Sequence, residues 1–112
     1  MDREEYMSAA LALAREAFDE GEIPVGCVIA DAQGNIIGRG RNKREESHDA
    51  TQHAELEAIR AACRSQGDWR LSGCTIYVTL EPCPMCAGGI INSRIPTVVF
   101  LSLIHISEPT RR

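Results

Sequence analysis

The sequence predicts an α/β fold with a mixed β-sheet flanked by helices, and three observations carry that expectation. Helical and strand periodicities alternate along the chain. Two short β-branched runs flank a cluster of turn residues, the pattern of a hairpin. The last third reads strand, helix, strand, and two strands joined through a helix favour parallel pairing within a layered sheet.

Residues 4–20 place Met7, Ala10, Leu11, Ala14 and Phe18 on one helical face, and Gly21 ends the helix. Residues 25–30, with Val28 and Ile29, suit a buried strand. Asp31-Ala32-Gln33-Gly34-Asn35 is turn chemistry, and residues 36–41 read as the returning strand. Residues 42–50 are polar and loop-like. A second helix is expected over 51–64, capped by Thr51 and buried along Leu56, Ile59 and Cys63. Gly67 is its stop. Ile76 and Val78 belong to a third strand. Pro82 opens a third helix, where a missing N–H costs no hydrogen bond, and that helix ends near Asn92. Residues 97–100 form a fourth strand that Leu101 to Ile106 can prolong.

The chain has 112 residues, 44% hydrophobic and 25% charged, which suits one globular domain. No apolar run approaches the roughly 18 residues of a membrane helix, and the opening Met1-Asp2-Arg3-Glu4-Glu5 is polar, so no membrane and a cytoplasmic location are expected. Five cysteines without a secretion signal argue against a disulfide framework. Cys27 and Cys74 sit beside apolar runs and read as small buried residues. The net charge of −4 is not that of a nucleic-acid binder, so any such contact needs a local patch. Arg39, Arg41, Lys43 and Arg44 supply four cations within six positions; a solvated loop is the other reading, since Glu45 and Glu46 follow.

Two motifs carry chemistry: His53-Ala54-Glu55 and Pro82-Cys83-Pro84-Met85-Cys86. Each starts a helix, where free N–H groups and the positive dipole end favour thiolates. Cys83 and Cys86 on one first turn, with His53 from the other helix, make a three-ligand zinc set with an open tetrahedral position. Such a site lowers the pKa of a bound water to about 7. Glu55, near the ion but not needed as a ligand, is placed to take the water's proton and pass it on. The separate parts have other readings. The C-x-x-C can be a redox pair, or a structural zinc site completed by His48, Cys63 or Cys74. His53 alone can be a core histidine, and Glu55 a first-turn helix charge.

Together, His53-x-Glu55 and Pro82-Cys83-x-x-Cys86 match the signature of zinc nucleobase deaminases. The stretches 22–26, 51–55, 77–83, 85–88 and 93–95 extend the likeness, and over about residues 4–100 the chain resembles the bacterial tRNA-specific adenosine deaminases of the cytidine/deoxycytidylate deaminase superfamily. The resemblance implies a three-layer cytidine-deaminase-like fold and one zinc per chain, held by His53, Cys83 and Cys86. It implies hydrolytic deamination of adenosine to inosine at the tRNA wobble position by a homodimer, with Glu55 catalytic. Asn42 and Ala54 would contact the target base, and Arg41 and Lys43 would flank it where the anticodon-loop phosphates lie. For Asn42 a turn asparagine is the alternative. Guanine deamination and cytosine or cytidine deamination share the zinc chemistry, and a zinc-stabilised fragment without activity is the reading from another class. Two small departures are Ala50, where the family has proline, and Gln52, where it has alanine. The family continues past Phe100 with a glycine-alanine stretch, another strand and C-terminal helices. Residues 101–112 carry none of these, so the likeness implies an incomplete domain over 1–100 and a non-family tail, either an artefact or a divergent natural terminus.

Overall fold

The computed structural model describes residues 1–101. Helix α1 (Arg3–Asp19) opens with a reciprocal cap: Asp2 accepts from the Glu5 N–H at 2.9 Å, and Glu5 accepts from the Asp2 N–H at 3.0 Å. Strands β1 (Gly26–Ala30) and β2 (Ile36–Arg41) form the expected hairpin. Its turn is tied by the Asp31 carboxylate, which accepts from the N–H groups of Gln33 and Asn35. A short helix α2 (Arg44–Ser47) precedes α3 (Ala54–Gln66), and β3 (Thr75–Val78), α4 (Pro84–Asn92) and β4 (Thr97–Phe100) follow. Gly67 ends α3 in the left-handed region, at φ 68°.

The sheet order is β2-β1-β3-β4, with β1 antiparallel to both β2 and β3 and with β3 parallel to β4. The mixed sheet and the parallel crossover agree with the sequence expectation. Strand alternation divides the core between two faces. Val28, Ala30 and Tyr77 face α1 and meet Tyr6, Met7 and Ala10. Cys27, Ile29, Ile76 and Val78 face α3 and α4, among Ala54, Ala58, Ile59, Ala62 and Ile90. Tyr6 stacks on Tyr77 with ring centroids 4.7 Å apart, which fixes the rotation of α1. Among the described residues no helix is long and apolar enough to cross a membrane.

Several local expectations are corrected. The buried stripe of α1 is Tyr6, Met7, Ala10, Ala14 and Ala17, while Leu11 and Phe18 are exposed. The reason is a close approach: a Cβ on Gly26 would strike the Ala10 carbonyl and the Ala14 nitrogen, so only small residues fit between helix and strand. Thr51 does not cap α3, because its N–H and hydroxyl both bond the Asp49 carboxylate; His53 is the N-cap residue. Cys63 is half-buried rather than part of a fully buried stripe, and so is Leu56. The third helix begins at Pro84 rather than Pro82. The loop predicted over 42–50 contains α2, whose start is held by a group from elsewhere in the chain: the buried Glu22 carboxylate accepts from the N–H groups of Glu45 and Glu46 at 3.0 and 2.7 Å. At the sheet edge β4 leaves Val98 and Phe100 exposed. Leu101 extends the ladder by one bond, its N–H donating to the Val78 carbonyl at 3.4 Å; the predicted continuation to Ile106 and the tail lie outside the described residues.

The α3–β2 contact is of the same kind. A Cβ on Gly40 would meet the Ala54 carbonyl and, at 2.7 Å, the Ala58 nitrogen, both backbone atoms that cannot rotate away. Gly40→Ala is therefore expected to destabilise the fold by about 1–3 kcal/mol in denaturant unfolding, as forced overpacking does. Gly88→Ala, where a Cβ meets nothing within 4 Å on helix α4, is expected to be neutral or stabilising. Equal effects of the two substitutions would contradict the backbone-on-backbone contact.

Candidate active site

Two helix starts converge at the end of the sheet where β3 finishes. Beyond Val78, Thr79 ties β3 to β1: its N–H donates to the Gly26 carbonyl and its hydroxyl accepts from the Gly26 N–H, both at 3.1 Å. The chain then delivers Cys83 as the N-cap residue of α4, with Pro84 at its first position and Cys86 buried at its third. Opposite stands His53, the N-cap residue of α3.

His53 Nδ1 lies 3.6 Å from Cys83 Sγ and 3.5 Å from Cys86 Sγ. Tetrahedral zinc with Zn–S near 2.3 Å and Zn–N near 2.05 Å requires an S···N separation of about 3.6 Å. The donor atoms thus stand where a shared tetrahedral ion would hold them, and all three lie within 4.8 Å of one another. Among the described residues no fourth histidine, cysteine or carboxylate joins this cluster. Cys63 is turned to the Trp69 carbonyl, Cys74 enters the opposite end of β3, and His48 ends α2. The four-ligand structural reading therefore has no fourth ligand, and the set is the three-ligand kind that leaves a position open.

The electrostatics around Cys86 differ from the sequence expectation. A helix start favours the thiolate, yet burial pushes the Cys86 thiol well up, and the neighbouring Glu55 and Cys83 add to the shift. Glu55 is itself buried, at 4% exposure, and burial raises its carboxyl; its own helix-start N–H, His53 and the Cys86 thiol, which donates to it, oppose that rise. A divalent cation between the sulfurs reverses the balance, because coordination deprotonates a thiol outright. The donor chemistry therefore fits zinc.

Beside the cluster lies a cavity of about 170 Å³. Ile23, Val25 and Leu80 give it an apolar wall, and Asn42, Glu55 and His53 place polar groups in it, with Arg44 and Glu81 also lining it. Asn42 is buried and anchored through its backbone N–H to the Val25 carbonyl at 3.1 Å. Ala54 is fully buried and is not among the lining residues, so the expected base contact from it is not seen. Arg41 faces away: Glu20 holds its guanidinium in two hydrogen bonds of 2.8 and 2.9 Å. Lys43 pairs with Glu57 at 3.2 Å, on the other side of the wall that Asn42 and Arg44 form. Glu22, which fixes α2 and hence this wall, was not a sequence candidate; a glutamate between Gly21 and Ile23 reads as surface charge, and nothing local signals its burial.

Residues 1–102 match the family described as the cytidine and deoxycytidylate deaminase zinc-binding region. A tRNA-specific adenosine deaminase of Bacillus subtilis (strain 168) is 48% identical over 95 residues, which is 85% of this chain and 58% of that protein. The chain thus spans little more than half the length of this curated relative. A solved tRNA:A34 deaminase superposes with a TM-score of 0.87 at 41% identity, covering 91% of this chain and 78% of the other. A guanine deaminase from Bacillus subtilis superposes with a TM-score of 0.88 at 38% identity, covering 97% and 70%. The three-ligand cluster, the parallel crossover that supplies its cysteines and the match over residues 1–102 agree: the chain belongs to the cytidine and deoxycytidylate deaminase zinc-binding family.

Proposed function

We propose that the protein is a zinc-dependent hydrolase that deaminates adenosine to inosine at the wobble position of tRNA, working in the cytoplasm as a homodimer. The observation that carries the chemistry is the buried Glu55 carboxylate lining the same cavity as His53 and Cys83. The proposed metal ligands are His53, Cys83 and Cys86; bound there, zinc supplies Lewis acidity that activates a water molecule at neutral pH. In the overall reaction a C–O bond forms at C6 of adenine, the C6–N bond breaks and ammonia leaves. Glu55 carries one proton of the water to the ring nitrogen of the base and the second, given up as the C6 carbonyl forms, to the departing amino group, which leaves as ammonia. Asn42 orients the base against the apolar wall of Ile23, Val25 and Leu80.

The choice of RNA adenosine is supported by the 48% identity to an enzyme named for that reaction, and by 41% identity on superposition with the tRNA:A34 deaminase against 38% with the guanine deaminase. The exposed Ile91 on α4 lies with Val98 and Phe100 along one apolar groove that a second copy would cover, which supports the homodimer. Of the two cations assigned to the anticodon loop, Lys43 keeps that role, whereas Arg41 is held by Glu20 and Arg44 takes its place at the cavity rim. Guanine deamination is a second reading, favoured by the TM-score of 0.88.

Metal analysis of the purified protein is expected to give one zinc per chain, falling sharply in Cys86→Ala; zinc undiminished in that variant would remove the ligand assignment. Glu55→Ala is expected to keep its zinc and lose deamination by at least about 10²–10⁴-fold, the contribution of a positioned acid–base group. Activity near wild type would refute the proton-transfer role. An anticodon stem-loop should gain inosine at the wobble position while free guanine and cytidine stay unreacted; rapid turnover of guanine with none on RNA would move the assignment to the second reading.

A further inference from the structure

A second groove, of about 300 Å³, runs beside the cavity on the α3–β2 surface. Arg60 and Arg64 line it from one face of α3, Arg39 from the edge strand β2, and Lys43 and Gln52 from the segment between. Four cations thus meet one carboxylate, Glu57, in a chain whose net charge is −4. Among the described residues Glu57 is engaged by Lys43 at 3.2 Å, which leaves the groove with an excess of positive charge. Arg60 also faces the field of Asp49, whose carboxyl is held low mainly by its hydrogen bonds to Thr51 and only last by Arg60. Arg60 and Arg64 are exposed and lie one helical turn apart, so their guanidinium groups can follow a line of anionic groups.

The groove and the cavity share one wall. Asn42 and Arg44 line the cavity, while Lys43 between them lines the groove; His53 lines the cavity, while Gln52 before it lines the groove. A backbone hydrogen bond of 2.9 Å from the Lys43 N–H to the Gln52 carbonyl builds that wall. A nucleic-acid strand has the matching form: a base that can turn into a cavity, and phosphates spaced along a backbone that must lie outside it.

We infer that this groove, walled by Lys43, Arg60 and Arg64, seats the phosphate backbone of the single-stranded nucleic acid whose base enters the cavity. The inference rests on the proposed function for the identity of the strand, and on the charge and the shared wall for its position. The guanidinium groups of Arg60 and Arg64 bond phosphate oxygens and carry no base preference, so their part is affinity.

The test is the double reversal Arg60→Glu/Arg64→Glu, with zinc content and melting temperature measured as controls on the fold. Binding of a fluorescent anticodon stem-loop is titrated over a range of salt concentration. The variant is expected to bind more weakly, with the slope of log K against log salt reduced by about 1.4, since each phosphate that a cation neutralises on a single strand adds roughly 0.7 to that slope. In RNA deamination the loss should fall on KM rather than kcat. Unchanged affinity and salt slope in the variant, with RNA still deaminated, would overturn the groove and leave the proposed function standing. Steep salt-dependent binding that the reversal abolishes, with no deamination of RNA by the wild type, would overturn the proposed function and leave the groove. Absence of RNA binding by the wild type would overturn the groove outright.

Discussion

Contact between the backbone of α3 and the backbone of β2 is the constraint from which the site follows. Gly40 has no side chain, and the Ala54 carbonyl and Ala58 nitrogen occupy the space a Cβ would need. Gly38, on the same face, meets the Ala58 carbonyl and Ala62 in the same way. Ala54, Ala58 and Ala62 are accordingly all fully buried, a stripe of the smallest side chain along the helix. A helix seated without an intervening layer of long side chains has few ways to shift. His53 and Glu55 sit at the start of that helix, so their positions are set by the sheet rather than by a loop.

The other half of the cluster is placed differently. Helix α4 packs through Ile90 and against α3, where Gly89 makes room for Leu56, and β3 and β4 hold its two ends in one parallel pair. The two helix starts then bring Cys86 and Glu55 together in a buried space, where burial raises the cost of charging either group. Ionised together without a cation they would be unfavourable, since buried charge requires a partner. Zinc supplies that partner, and its binding free energy then counts toward folding as well as chemistry. Geometry gives the ion its selectivity for this place over the other three cysteines, Cys27, Cys63 and Cys74, none of which belongs to a cluster of three ligands among the described residues.

Most of the architecture and the metal cluster were legible in the sequence because they rest on local signals: the β-branched pair Val28-Ile29, turn chemistry at Asp31, and paired motifs at two helix starts. What was not legible depended on contacts between distant elements. Leu11 and Phe18 are the larger apolar residues of α1 and look like its buried face, but Gly26 lies against Ala10 and Ala14, and the helix turns its alanines inward. Thr51 has the chemistry of a cap, yet Asp49 takes both its donors before the helix begins. Pro82 and Pro84 are equivalent as sequence signals; the site selects Pro84, which leaves Cys83 as the N-cap residue facing His53. Helix α2, four residues long, is too short to show a periodic signal, and its start is held by Glu22, more than twenty residues earlier.

The basic run shows why cation density along a sequence is a poor guide to an electrostatic surface. Strand alternation and the wall after β2 send its members to different places: Arg41 to the acids of α1, Lys43 to Glu57 on α3, and Arg44 to the cavity rim. Of these, Arg41 is neutralised by Glu20, with Glu16 at 3.9 Å, and adds little to any field outside. The positive surface that does form draws Arg60 and Arg64 from the exposed face of α3, far along the chain from Arg39 and Lys43. Its position next to the cavity is again a consequence of α3 lying directly on β2. The contact that fixes His53 and Glu55 on one side of the Lys43–Gln52 hydrogen bond also fixes the cations on the other. A single helix-on-strand contact therefore supports both the polar end of the cavity and the cationic groove beside it.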